Sequence, residues 1–143
     1  MAIGSQNTQA NTGTKKTYDP LPDGEYLVKL DRATEGPTKN GDGTKVATSF
    51  KVQEGDSKGR LIFHDFLMSH SNPATNYQDA VKIGKEKLSK CLKAMGVNGG
   101  FDAIGNDASQ VENYIGSDLI LSVGVEFKAG FKPKNVIKKW IRS

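Results

Sequence analysis

The sequence predicts a mainly β domain with one main helix, an α+β class. Three observations predict it. Five short stretches alternate apolar and polar residues or run apolar, as strands do. One stretch, Ala80 to Met95, repeats its apolar residues at helical spacing. Clusters of Gly, Pro and Asn separate the stretches.

Residues 1–17 are Gln, Asn, Thr, Gly and Ser with almost nothing to bury, so a disordered arm is expected there. Residues 18–143 form the domain. Glu25 to Ala33 alternates, with Tyr26, Val28 and Leu30 on one face, which predicts the first strand. Gly36 to Thr44 is too rich in Gly, Pro and Asn for regular structure and is expected to be a flexible loop. Val46 to Glu54 is the second strand, with Val46, Phe50 and Val52 inward. Glu54 to Arg60 is a short glycine-flanked hairpin connection. Leu61 to Met68 is the third strand, continuously apolar except for His64 and Asp65.

Asn72-Pro73 can start a helix, whose beginning falls anywhere from Pro73 to Asp79. Val81, Gly84, Leu88, Cys91, Leu92 and Met95 share one stripe, and Gly96 is a good stop. Lys82, Lys85, Lys87, Lys90 and Lys93 cover the rest, a pattern that usually means a solvated face. Val97 to Gly105 is a loop, and Asp107 to Tyr114 a short second helix. Leu119 to Phe127 is the fourth strand, Ala129 to Asn135 a loop, and Val136 to Ile141 the last strand.

The order is three strands, a helix, then two strands. That is the order of the OB-like five-stranded barrel, though other α+β folds share it. In such a barrel a ligand crosses the face of strands two and three. The loops after strand one and between strands four and five flank it. Here those loops are Gly36 to Lys45 and Lys128 to Asn135, both glycine-bearing and both carrying lysines.

Charge points to the same end of the chain. Phe127 to Ser143 reads FKAGFKPKNVIKKWIRS, with six cations and no acid. The chain totals +4, so residues 1–126 sum to −2. Cations interleaved with Phe127, Phe131 and Trp140 suit a polyanion with flat faces to stack on, which describes single-stranded nucleic acid. The plainer reading is a last strand whose aromatics are core and whose lysines are solvated. Phe131 stands out because it lies in a loop between Gly130 and Lys132, with little regular structure to bury it.

Catalytic chemistry is not expected. His64 and His70, with Cys91 far from both, lack the ligand set that zinc requires. Cys91 falls on the apolar helix stripe and reads as core. The segment Gly41 to Lys45 lacks the G-x-x-x-x-G-K-[ST] spacing of a phosphate loop. Carboxylates are scattered, without a cluster to hold Mg²⁺. No cofactor is implied. No apolar run reaches the ~20 residues of a membrane span. The lone cysteine and the absence of a signal-like apolar centre predict a cytoplasmic protein.

The segments LPDGEYLVKL, SFKVQEGDSKGRLIFHDF, KCLKAMGV, IGSDLILSVGVEFK and NVIKKW, in that order, resemble a family of small phage and prophage proteins of formally unknown function. The resemblance covers about Tyr18 to Trp140. It implies single-stranded-DNA binding in phage replication and recombination, in the host cytoplasm, with replication or recombination enzymes as further partners. Two departures stand out. Ala74 to Gln78 is extra length before the helix, and the chain ends in IKKWIRS rather than an acidic tail with an apolar tip.

The expectation is therefore a sequence-independent single-stranded-DNA-binding protein. Lys39, Lys45, Lys51, Arg60, Lys128, Lys132, Lys134 and Lys138 would track phosphates, while Phe131 and Trp140 stack on bases. The alternative is a non-enzymatic module that docks on a recombinase, helicase or host factor. The last strand, as an edge, can pair between subunits, which allows a homo-oligomer.

Overall fold

A computed structural model describes residues 20–143. The arm expected over residues 1–17 lies outside the described residues. The strands are β1 (Gly24–Pro37), β2 (Gly43–Val52), β3 (Leu61–His70), β4 (Asp118–Glu126) and β5 (Lys134–Ile141). The helix α1 (Thr75–Ala94) lies between β3 and β4 and is followed by two short 3₁₀ turns, Gly100–Ile104 and Ala108–Tyr114. The expected second helix is the latter turn. No helix among the described residues is long and apolar enough to cross a membrane.

The five strands form one antiparallel sheet in the order β3-β2-β1-β4-β5. The expected five-stranded barrel does not close: β3 and β5 are both edges, and the sheet is open between them. Two contacts mark the region of these edges. The helix packs against β3 so closely at Gly84 that an added Cβ would collide with the backbone of Leu67. Trp140 on β5 meets His64 and Phe66 on β3 ring to ring, with centroids 5.4 Å apart in each case. The edges thus approach through side chains rather than through a backbone ladder.

A β-bulge in β1 explains how its long strand serves one core. Strict alternation from Val28 and Leu30 would send Arg32 inward. The register shifts between Leu30 and Arg32, so Ala33 is buried and Arg32 faces solvent. The core gathers Phe50, Phe66, Leu30, Leu119 and Leu121 from the sheet with Leu88 and Leu92 from α1. Cys91 is buried with them, and burial pushes its thiol well above the ordinary range.

Two segments expected as loops are shorter than expected. Gly36, Pro37, Gly43 and Thr44 belong to strands, so the flexible loop of the sequence reading is a tight turn over residues 38–42. Asn135 lies in β5, not in the loop before it. Its Oδ1 accepts from the Leu21 backbone N–H at 2.8 Å, and its Nδ2 donates to the carbonyls of Leu21 and Gly124 at 2.9 and 3.2 Å. The amide thereby staples the entering chain, whose Leu21 is fully buried, to β4 and β5.

Candidate nucleic-acid interface

Three phenylalanines stand in solvent: Phe63 is 71% exposed, Phe127 77% and Phe131 70%. Single exposed apolar residues are common, but large rings at this exposure beside cations suit a stacking surface. Phe131 sits in the loop between β4 and β5. Gly130 takes a left-handed φ of 82° there, and the Phe131 N–H donates to the Lys128 carbonyl at 3.0 Å. That tight turn holds the Lys128 ammonium 5.5 Å from the centre of the Phe131 ring, a cation–π contact. Lys128, Lys132, Lys134 and Glu126 line a hollow of about 200 Å³ with this ring.

Phe63 is the ring that sequence reasoning missed. Ile62, Phe66 and Met68 on β3 are buried, so Phe63 points to the opposite face with Leu61 and Asp65. The signal was present in that parity, since Asp65 marks the face as solvated. Phe63 borders three hollows. One, of about 630 Å³, runs along the turn residues Lys58 to Leu61 and includes Arg60. Another, of about 290 Å³, is lined by Arg32, Thr34, Ala47 and Ser49. The third, of about 340 Å³, is the seam between β3 and β5, which reaches Lys87, Glu126, Lys134 and Asn135. Glu126 and Lys134 line both the seam and the hollow under Phe131, so the surface from Phe63 to Phe131 is continuous.

The outer sheet face beside Phe63 carries Lys29, Arg32 and Lys51, with Asp65 and Asp118 on the same face. Lys51 on β2 is directly opposite Lys29 on β1, and Ser49 stands between Arg32 and Phe63 across the strands. Like charges directly opposite destabilise a strand pair, and Lys29 also stands directly opposite Asp118 on β4. Ser49 Oγ is buried and has no hydrogen-bond partner.

The remaining predicted residues are distributed as follows. Lys45 is engaged by Asp65 at 2.8 Å, and Lys134 by Glu126 at 3.6 Å. The Lys138 stem lies across Gly124 on the outer face of β4 and β5. Trp140 is on the inner face, half-buried, with Phe50, His64 and Phe66 against it at centroid distances of 5.8, 5.4 and 5.4 Å. Lys39 is on the exposed 38–42 turn at the far end of the sheet. That end meets the close of β3, seven residues from Phe63, or about 20 Å along the strand. The structure therefore brings together Lys128, Phe131, Lys132 and Lys134, sets Arg60 beside Phe63, and leaves Lys39 apart.

The floor of the seam carries no positive charge at neutral pH. Burial lowers the pKa of His64 to about 4, Lys87 adds to the effect, and Asp65 opposes it.

Residues 6–137 match a family described as "Protein of unknown function (DUF669)". The chain belongs to that family. No curated protein matches it. The DUF669 match takes in Phe63, Phe127, Phe131 and Lys134 and stops short of Lys138 and Trp140. Membership of DUF669 carries no activity with it, so function is argued from the surface itself.

Proposed function

We propose that this protein binds single-stranded DNA with little regard to sequence. The carrying observation is the continuous surface from Phe63 to Phe131, with an exposed ring at each end and cations along it. Every base has a π-face, so rings of this kind bind unpaired bases whatever their identity, while a duplex hides those faces within its stack. Lys51, Arg60, Lys128, Lys132, Lys134 and Lys138 meet phosphates. The strand order supports an OB-like sheet, a fold whose barrel is often partly open and which binds oligonucleotides across strands two and three. Phe63 and Lys51 lie on those two strands. Trp140 serves by fixing β5 against the core. The resemblance to phage proteins supports a role in protecting displaced strands during phage replication and recombination, within the host cytoplasm.

Titration of a fluorescent oligo(dT) and of a duplex of equal length tests the proposal. The oligo(dT) is expected to bind and the duplex to bind far more weakly. With four to six phosphate contacts, log affinity should fall against log salt with a slope of roughly −3 to −4. No binding at low salt would overturn the proposal and leave the exposed rings to a protein partner.

A further inference from the structure

We infer that the open seam between β3 and β5 is the passage for the strand's sugar–phosphate backbone, and that Lys87 of α1 is a phosphate contact on its wall. The inference rests on the single-strand reading above and adds a route and a residue to it. The seam joins the hollow at Phe63 to the hollow at Phe131, so a strand stacked on both rings runs through it. Lys87 lines the seam from the helix, and Lys134 lines it from β5. Lys87 is exposed and, among the described residues, has no ion pair.

The acids nearby do not cancel this pair equally. Asp65 is held by Lys45 at 2.8 Å, so its charge is matched from β2. Glu126 is the acid that competes with the strand, because it engages Lys134 at 3.6 Å and both side chains are largely exposed. Such a pair is weak, and an incoming phosphate replaces the carboxylate on Lys134. The opposite wall differs in kind: Lys87 offers its ammonium without an acid to displace.

The helix supplies its own control. Lys82 is five residues before Lys87 and therefore on another side of α1, with the same charge and an equally exposed position. Oligo(dT) affinity is measured for the full chain, Lys87→Gln, Lys82→Gln and Glu126→Gln across a salt series, with melting temperatures alongside. Lys87→Gln is expected to weaken binding about three- to tenfold and to make the salt slope shallower by about 0.7, the loss of one phosphate contact on a single strand. Lys82→Gln should leave the slope unchanged, and Glu126→Gln should tighten binding several-fold. Melting temperatures should stay together. If the two lysine variants behave alike while the native chain binds, Lys87 acts only through net charge and the passage is wrong. If the native chain does not bind at all, the single-strand reading itself falls and the passage falls with it.

Discussion

The β1–β2 turn and the β4–β5 loop have similar composition, both mixing Gly and Lys, yet they are held in opposite ways. In the turn, Thr38 Oγ1 donates to Asp42 Oδ1 at 2.7 Å, and His70 Nε2 lies 3.4 Å from Asp42 Oδ2. The Asn72 N–H donates to His70 Nδ1 at 3.0 Å, which leaves the ring's own hydrogen on Nε2, toward Asp42. Tyr77 stacks on the same ring, with centroids 4.3 Å apart. Residues Ala74 to Gln78, the extra length before the helix, thus build the first turn of α1 and clamp the sheet end. In the β4–β5 loop, by contrast, Phe127 and Phe131 stay in solvent and Lys128 is the cation over the Phe131 ring. Composition marks both segments as loops. Residues distant in sequence decide which is fixed and which can meet a ligand.

The strongest way to break this comparison is at Gly43. An added Cβ there would collide with the Ser69 carbonyl, where Thr44 and Ser69 also bond side chain to side chain at 2.7 Å. Gly43→Ala should lower unfolding stability by about 3 kcal/mol in urea titration, because backbone rather than a flexible side chain must give way. Oligo(dT) affinity should be unchanged in the folded fraction. The complementary variant acts on the other loop. Phe131→Ala should weaken oligo(dT) binding roughly tenfold or more, on the order of 1–3 kcal/mol, with the melting temperature unchanged. A stability loss from Phe131→Ala with intact binding would show that the two loops are alike after all.

What the sequence could show follows the same division. Strand positions, the helix stripe and the exposure of Phe131 were legible because each follows from local periodicity or from Gly and Lys neighbours. The clamp was not, since it joins Asp42 to His70 and Tyr77 across two turns of the chain. The open edge was not legible either. The two edges meet through Trp140 against His64 and Phe66, contacts between residues far apart in sequence that no single segment displays. Trp140 shows the limit of reading by composition: it shares a basic stretch with Phe131, but strand parity turns it toward Phe50 and Phe66. The β1 bulge is a similar case, because one extra residue decides whether Arg32 or Ala33 enters the core.

A smaller effect separates the two ends of the sheet by pH. His64, at the seam, is held at about 4 by burial against its ordinary 6.5, with Lys87 contributing. Between those values the unfolded chain binds a proton that the folded chain refuses. Its contribution to stability is complete above pH 6.5 and falls as pH drops toward 4. The side chain keeps some contact with water, so the loss should be roughly 1–2 kcal/mol. Urea unfolding at pH 7 and pH 4 should show this drop in the native chain and a flatter response in His64→Leu. An equal drop in both would remove His64 as the cause.

The smallest expected effect belongs to the clamp. The Thr38 hydroxyl, with His70 assisting, holds the Asp42 carboxyl below its ordinary 3.8, and desolvation opposes this only in part. A depressed carboxylate stabilises the fold above its unfolded pKa, and that contribution is lost as pH falls through the lower folded value. Asp107 shifts in the same direction through Ser109, so acid sensitivity of the native chain alone does not identify the clamp. Asp42→Asn isolates it, because the amide can still accept from Thr38 while the charge is gone. The melting temperature of Asp42→Asn should be slightly below the native value at pH 7, and the two should converge once pH falls below the lowered folded pKa of Asp42. Oligo(dT) affinity at pH 7 should be the same for both, since no ring or phosphate contact has been touched. If Asp42→Asn instead weakens binding as much as Phe131→Ala, the clamped turn is part of the binding surface, and the contrast between the two loops fails at the level of function.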